Sequence, residues 1–523
     1  MKRLVVTLLT LCLALAASAQ VSVTTSRNDN HRDGQNTTET ILTPANVNTK
    51  NFGKLFSLTV DGYVYAQPLY MQNVTINGAT HNVVFIATEH DSVYAFDADS
   101  NTGSNASPLW QVSFINPPKV NTVSSGNVSC GDLVPEIGIT STPVIDPVAG
   151  TIYVLAKTRE GTNAVQRLHA LDITSGAERA NSPVEITARA KGTGAGSSGG
   201  FVMFDPLRQA QRPGLLLQNG QVFIGWASHC DNGPYHGWLM SYDQTALTQT
   251  SVWNVNPNGS DSGIWQAGNG LAADTSFNIF VATGNGTFDA NPDFGDSIVK
   301  LATASGKIRV TDYFTPYNQQ QLSDDDTDLG SGGVLLLPDQ TQGPYTHLLV
   351  EVGKEGSIYL VNRDNMGHYN QNNNSQIVQD MENVMGGNWS TAAFWNNNVY
   401  FGPSYDSLKQ YTFDPTTGFL STSPASQSSY SFQFPGPSPS ISANGTTNGI
   451  VWIIQSDNYG HGPGTLHAVD ATNLANELYN SGQNFKRDNP GGAVKFTVPT
   501  IANGKVYVGA VKQVSVYGLL GGK

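Results

Sequence analysis

The stretch from Val83 to Val112 carries the pattern that decides the fold. It contains Val83-Val-Phe-Ile86, then Tyr94-Ala-Phe-Asp97, the turn Thr102-Gly103, and Pro108-Leu-Trp-Gln-Val112. Short β-branched and aromatic runs separated by turn residues are typical of strands joined by hairpins. Together with the apolar run that precedes it, the stretch predicts a unit of four antiparallel strands.

The same unit recurs along the whole chain. Runs equivalent to Val83-Val-Phe-Ile86 return every 51 to 70 residues and begin at Thr151, Gln221, Asn278, His347, Asn398, Ile450 and Lys505. A repeat of this length built from strands is the signature of a propeller. The sequence therefore predicts an all-β, eight-bladed β-propeller with four antiparallel strands in each blade.

The last repeat lacks its fourth strand. Almost no chain remains after Val514-Ser-Val-Tyr517, whereas Lys54-Leu-Phe-Ser-Leu-Thr-Val60 precedes the first repeat and belongs to none. We predict that this N-terminal strand completes the eighth blade and closes the ring, because closure removes exposed sheet edges. Residues 53–523 are then a single propeller domain, preceded by an N-terminal extended segment, residues 20–52.

Residues 1–19 have the pattern of a secretory signal peptide. Lys2 and Arg3 precede the apolar run Leu4 to Ala17, and Ala17-Ser-Ala19 fits the small-residue rule for cleavage. No later segment approaches the ~20 apolar residues needed to cross a bilayer, so no transmembrane segment is expected. We expect a secreted or periplasmic protein.

Charge and composition exclude one class of partner. The chain has 27 Lys and Arg against 40 Asp and Glu, a formal net charge of −13, and no run of basic residues. Nucleic-acid binding needs clustered cations along the phosphate path, so no nucleic-acid partner is expected.

Two cysteines remain once the leader is removed. Cys130 and Cys230 lie in a chain that we expect to be exported to a compartment where disulfides persist. A disulfide between them is the simplest prediction, and two buried thiols are the alternative. Two cysteines alone cannot build a structural zinc site.

The repeats resemble those of a known family. Ala95-Phe-Asp97 with Thr102-Gly103 and Trp110, and Ala170-Leu-Asp172 with Ser175-Gly176, are similar to the blade signature of the PQQ-repeat propellers. This is the quinoprotein alcohol dehydrogenase-like class, whose members are eight-bladed. The resemblance covers about residues 50 to 520. The adjacent Cys-Cys pair that contacts the quinone in many of these dehydrogenases is absent.

The order of strands predicts where a site would lie. In a four-stranded meander, the loop entering the first strand and the loop between the second and third strands lie at the same end of the blade. These loops hold most of the unusual polar and aromatic residues, so we predict that this loop-rich face binds a ligand or a protein partner. Our candidates there are Glu136, His229, Asn269, Asp328, Ser331, Lys354 and Trp389.

The resemblance implies roles for some of these residues. Dehydrogenases of this class use PQQ and a calcium ion held by an acid and an amide, with a carboxylate as general base. Glu136, Asn269 and Asp328 are the candidate metal ligands, and Asp328 or Glu136 is the candidate base. Lys354, Trp389, Asn269, Ser331 and His229 are the candidate contacts of the cofactor. Hydrogen bonding at strand starts is the competing structural explanation.

Two functions remain open at this point. The first is a non-catalytic propeller that binds a ligand or protein partner through its loop-rich face. The second is a PQQ- and calcium-dependent oxidoreductase acting on an alcohol or a sugar. The missing Cys-Cys pair favours the first function, and the polar and aromatic loops favour the second. The repeats do not discriminate, because one fold hosts many functions.

Overall fold

The computed structural model describes residues 21–521, so the predicted signal peptide, residues 1–19, lies outside the described residues. Within this range, no helix is both long and apolar enough to span a bilayer. The helices are short: α1 (Gln319–Asp324), α2 (Phe485–Asp488) and three 3-10 turns (Gly103–Ala106, Leu329–Ser331, Ser481–Asn484). The architecture is therefore carried by strands.

The first half of the chain forms two N-terminal strands and four blades. The two N-terminal strands are β1 (Gln35–Asn36) and β2 (Phe52–Tyr63). Blade 1 consists of β3 (Leu69–Ile76), β4 (Ala79–Ala87), β5 (Ser92–Asp97) and β6 (Trp110–Ser113). Blade 2 consists of β7 (Val120–Ser124), β8 (Glu136–Ile137), β9 (Val144–Asp146), β10 (Thr151–Glu160), β11 (Asn163–Asp172) and β12 (Val184–Glu185), and a separate hairpin follows it, formed by β13 (Arg189–Lys191) and β14 (Phe201–Met203). Blade 3 consists of β15 (Gln209–Ala210), β16 (Leu216–Gln218), β17 (Gln221–Ser228), β18 (Trp238–Asp243) and β19 (Gln249–Asn254). Blade 4 consists of β20 (Ala272–Ala273), β21 (Asn278–Ala282), β22 (Ile298–Ala302) and β23 (Arg309–Thr315).

The second half forms the remaining four blades. Blade 5 consists of β24 (Leu335–Leu336), β25 (Leu348–Val352), β26 (Ile358–Asn362) and β28 (Gln379–Met381), whereas β27 (His368–Tyr369) pairs with blade 4. Blade 6 consists of β29 (Ala393–Trp395), β30 (Asn398–Phe401), β31 (Ser407–Asp414), β32 (Phe419–Leu420) and β33 (Ser426–Ser431). Blade 7 consists of β34 (Ser440–Asn444), β35 (Thr447–Gln455), β36 (Thr465–Asp470) and β37 (Glu477–Asn480). Blade 8 consists of β38 (Thr500–Ala502), β39 (Lys505–Leu519) and the N-terminal strand β2.

The N-terminal strand β2 closes the ring, as predicted. It pairs antiparallel with β39, so that Lys54 lies opposite Tyr517 and Leu58 lies opposite Val514. Phe52, at the start of β2, packs its ring against Trp452, Tyr479 and Tyr517. The two ends of the propeller chain are thus joined by both a strand ladder and an aromatic cluster.

The core lies between the blades. In β10, Ile152, Val154 and Ala156 pack into the cluster of blade 1, whereas Tyr153 and Leu155 pack into the cluster of blade 3. Successive side chains of a strand point to opposite faces, and here both faces are buried. This is why the second strand of each repeat is an unbroken apolar run in the sequence.

The N-terminal segment does more than lead into the ring. Residues 23–36 contact one strand in every blade, namely β3, β9, β16, β20, β24, β29, β34 and β38. The backbone N–H groups of Tyr70, Ile145, Ala273, Leu336, Phe394 and Ile441 donate to carbonyl oxygens between Val23 and Gly34. Only the centre of a ring brings so short a segment within reach of eight blades. We call residues 23–36 the central plug.

Two buried arginines fasten the central plug to the blades. Arg27 donates to the carbonyl oxygens of Ala392 (2.6 Å) and Pro439 (2.5 Å). Arg32 donates to the carbonyl oxygens of Leu271 (2.9 Å) and Ser26 (2.7 Å) and to Thr25 Oγ1. Both side chains are fully buried. Their hydrogen bonds offset the cost of removing a guanidinium from water.

Glu351 of β25 provides a test of the core electrostatics. Both carboxyl oxygens are buried and have no hydrogen-bond partner among residues 21–521, and burial raises the pKa of Glu351 well above its usual value. An acid whose pKa is raised by folding binds protons more tightly in the folded state. Its stabilising contribution is therefore complete below the unfolded pKa and is lost as pH rises toward the folded value.

We expect Glu351→Gln to be more stable than the wild type at pH 7–8, by a margin that grows with pH by at most about 1.4 kcal/mol per unit. Urea midpoints measured from pH 5 to pH 8 test this. The exposed Glu185→Gln serves as the control and is expected to leave the pH profile unchanged. A constant difference between Glu351→Gln and the wild type at every pH would contradict the assignment.

Candidate functional site

The loops that enter the first strands and the loops between the second and third strands meet at one end of the ring. A cavity of about 610 Å³, including the part open to solvent, lies among them. We call it the mouth cavity. Its walls are formed by the aromatic residues Trp265, Trp389, Phe434 and Phe496, the charged residues Asp132, Arg212, Asp231, Asp328 and Lys354, and Cys230, Ala267 and Ser331.

The structure brings only some of the candidate residues together. Asp328, Ser331, Lys354 and Trp389 line the mouth cavity. Asn269 lines a smaller chamber below it, and His229 lines a separate cavity beside the loop at residues 127–129. Glu136 does not line the mouth cavity. Its carboxylate is paired with His90 Nδ1 at 2.9 Å.

Asp328 and Lys354 form a tightly bound pair at the cavity wall. Lys354 Nζ lies 2.6 Å from Asp328 Oδ2 and 2.6 Å from Asp326 Oδ1. The other oxygen of Asp328 accepts from the backbone N–H of Asn285 at 2.6 Å. Burial raises the pKa of Asp328 despite Lys354, and the two aspartates outweigh burial and raise the pKa of Lys354. The Asp328 carboxylate and the Lys354 ammonium are therefore already paired with each other.

Calcium does not fit these residues. A calcium ion needs six to eight oxygen ligands. Of the three candidate ligands only Asp328 reaches the mouth cavity, and both its oxygens are already bound. Across residues 21–521, no group of three or more His, Cys, Asp or Glu side chains is arranged to hold a metal. A cation at Asp328 would also have to displace the ammonium of Lys354.

His229 has a structural partner. Its Nε2 lies 2.8 Å from Lys157 Nζ, which also donates to the carbonyl oxygen of Leu207. Burial lowers the pKa of Lys157 to about 7 and, together with Lys157, lowers the pKa of His229 well below its usual value. The imidazole is thus neutral and accepts a hydrogen bond from the lysine, away from the mouth cavity.

Aromatic side chains that the sequence did not single out form much of the wall. Phe434 meets Trp389 edge-on, with ring centroids 5.1 Å apart, and lies 6.1 Å from Phe496. Gly387 lets the Trp389 loop approach closely, since a Cβ there would lie 2.5 Å from the Lys354 carbonyl oxygen and 2.9 Å from the Trp389 ring. Such a wall suits the flat apolar body of a small molecule.

Arg212 is a further residue of the cavity wall that sequence reasoning missed. Its guanidinium stacks over the Phe496 ring, 4.2 Å from the centroid. It lines both the mouth cavity and the chamber beneath it, which includes Ser26, Gln67, Thr142 and Asn269. The only available signal was the position of Gln211-Arg212-Pro213, shortly before the apolar run that forms β16 of blade 3.

The predicted disulfide is present. Cys130 and Cys230 are bonded, with their Cα atoms 5.7 Å apart, and Cys230 forms part of the mouth-cavity wall. The bond joins the loop between β7 and β8 of blade 2 to the loop between β17 and β18 of blade 3. Two residues beyond Cys130, Asp132 pairs with Lys495 of the blade 8 entry loop at 2.5 Å. The disulfide therefore supports the wall that three blades share.

We expect the double variant Cys130→Ser/Cys230→Ser to lose about 2–4 kcal/mol of unfolding free energy, because the bond closes a long loop in the unfolded chain. Urea midpoints of oxidised protein and variant measure the loss. Treatment of wild type with a reductant should reproduce it, and the variant should not respond to the reductant. An unchanged midpoint in the variant would contradict the expectation.

Several solved structures share the fold of the chain. Quinohemoprotein alcohol dehydrogenase from Comamonas testosteroni matches with a TM-score of 0.63 and 14% identity, over 98% of this chain and 82% of that chain. Quinohemoprotein alcohol dehydrogenase ADHIIG from Pseudomonas putida HK5 matches with a TM-score of 0.62 and 13% identity, over 96% and 81% of the two chains.

A europium-containing methanol dehydrogenase also matches, with a TM-score of 0.59 and 13% identity, over 95% of this chain and 98% of that chain. No protein-family model and no curated protein matches the sequence. At these identities the similarity establishes the fold. The chain is an eight-bladed β-propeller with the fold of these alcohol and methanol dehydrogenases.

Proposed function

We propose that this protein binds a small, planar molecule in the mouth cavity. The observation that carries the proposal is a cavity with four aromatic side chains in its wall. Small-molecule sites are concave, mostly apolar and equipped with a few polar groups that fix orientation. The lining of the mouth cavity has this character, because aromatic rings stand beside a few charged and polar side chains.

An arginine in the wall supports the proposal. Arg212 lines the mouth cavity and stacks over the Phe496 ring, 4.2 Å from the centroid. A polar group held in this way among aromatic rings fixes the orientation of a bound molecule.

Isothermal titration with 2-naphthamide, a neutral planar probe, tests binding. We expect saturable binding to the wild type and about tenfold weaker binding to Trp389→Ala, since loss of an aromatic wall removes roughly 1.4 kcal/mol. Phe419→Ala is the control, because Phe419 is exposed on blade 6 outside the cavity. Equal affinity for the wild type and Trp389→Ala, or no binding at all, would contradict the proposal.

A second candidate is a PQQ-dependent oxidoreductase. The aromatic walls and the cation Arg212 suit a planar, anionic quinone, which when bound would accept the electrons of an alcohol or sugar. Calcium ligation does not fit, so this candidate requires binding without calcium. Titration with PQQ in EDTA, followed by dye reduction across an alcohol and sugar panel, tests it. Binding that appears only with added Ca²⁺ would contradict it.

We also propose that the protein works outside the cytoplasm. The leader pattern in residues 1–19 and the disulfide between Cys130 and Cys230 support this location, because disulfides persist in oxidising compartments. Fractionation of the native host, with an antibody against the propeller, tests the location. Recovery of the full-length, unprocessed chain in the cytoplasm would contradict it.

A further inference from the structure

We infer that Arg212 selects ligands bearing a carboxylate, so that the molecule bound in the mouth cavity is an aromatic or cyclic organic acid. The inference rests on the proposed function, because it names the chemical class taken by the same site. Its support is that the cations around the cavity differ in whether an acid is paired with them.

The two lysines near the cavity are already paired with aspartates. Lys354 is held by Asp326 and Asp328, each at 2.6 Å, and Lys495 is held by Asp132 at 2.5 Å. Lys495 also lies over the rings of Phe434 and Tyr459. Neither ammonium is left to recognise a ligand.

Arg212 differs from both lysines. Across the described residues its guanidinium has no hydrogen-bond acceptor and no carboxylate within 4 Å, and its Nε is buried without a partner. Asp132 and Glu89 act on it only at longer range, Asp132 being bound to Lys495 and Glu89 to Gly138 N and Thr140 Oγ1. Phe496 holds the guanidinium plane in place from one side.

The fork of a guanidinium matches the geometry of a carboxylate. Arg212 lines both the mouth cavity and the smaller chamber. A guanidinium and aromatic rings in the same wall fit a molecule with an anionic end and a flat apolar body.

The acids of the wall do not oppose this assignment. Asp328 and Asp132 are each paired with a lysine, and Asp231 accepts from the Tyr235 hydroxyl at 2.6 Å. Burial raises the pKa of Asp231, which disfavours its charged form. A carboxylate entering the cavity therefore meets one unpaired cation and three acids that already have partners.

The test compares 2-naphthoate with 2-naphthamide, which has the same shape and no charge. We expect the wild type to bind the naphthoate about ten- to a hundredfold more tightly, as a charge-assisted pair requires. Arg212→Met should bring the ratio of the two affinities to about one, because the guanidinium that favours the carboxylate is gone. Arg212→Lys should keep only part of the preference, because an ammonium lacks the fork.

Arg208→Met is the matched control. Arg208 lies four residues earlier, donates to the carbonyl oxygens of Asn232 and Gly233, and does not line the mouth cavity. It should keep the full preference, and circular dichroism should show that all variants fold. Equal affinities for both probes in the wild type, or a preference that survives Arg212→Met, would overturn the inference alone. Failure of both probes to bind would overturn the proposed function as well.

Discussion

Phe52→Ala is expected to destabilise the entire propeller by about 3–5 kcal/mol, the usual cost of removing a buried phenylalanine. Phe52 is fully buried among Trp452, Tyr479 and Tyr517, at the point where β2 joins blade 7 to blade 8. Urea unfolding followed by tryptophan fluorescence measures the loss.

The control for Phe52 lies on the same strand. Leu55 is partly exposed, so Leu55→Ala should cost clearly less than Phe52→Ala. Because β2 closes the ring, hydrogen exchange in Phe52→Ala should rise in blade 1 and blade 7 together with blade 8. Loosening confined to residues 52–63 would show that ring closure does not depend on this contact.

Arg32→Met is expected to cost about 3–5 kcal/mol, comparable to breaking a buried ionic contact. The guanidinium donates to the carbonyl oxygens of Leu271 and Ser26 and to Thr25 Oγ1, and methionine replaces none of these bonds. Buried acceptors left without a donor each cost about 1–3 kcal/mol, although relaxation recovers part of the sum. The urea midpoint and hydrogen exchange of residues 23–36 measure the effect.

Arg309→Met is the control for Arg32, because Arg309 is exposed on β23. It should change stability by less than about 0.5 kcal/mol. If Arg32→Met unfolds at the same urea concentration as Arg309→Met, the central plug does not contribute to the stability of the ring.

In the candidate site, the placement of the loops was predictable from the sequence, whereas the contacts of individual side chains were not. The strand order alone places the entry loops and the loops between second and third strands at one end, and every residue of the mouth-cavity wall comes from such loops. The choice of individual residues was less successful. Glu136 pairs with His90 and His229 with Lys157, whereas Arg212 and Phe496 were not chosen. A polar residue in a loop has no periodic signal to show whether it faces a ligand or a neighbouring side chain.

The sequence by itself determined the eight repeats, the closing strand and the disulfide. Each of these follows from a local pattern: the alternation of buried faces in strands such as β10, a strand left over at one end, or two cysteines without other partners. The spacing between repeats converts such local patterns into a ring, since each blade contacts only its neighbours.

Only the tertiary structure decided what fills the centre of the ring. Arg32 reaches Leu271, 239 residues away, and Arg27 reaches Pro439, 412 residues away. Neither contact exists until eight blades have brought their first strands to one axis, so no local pattern can encode it. The same holds for Arg212, whose lack of a partner becomes visible only when the acids around it are seen bound to Lys354, Lys495 and Tyr235.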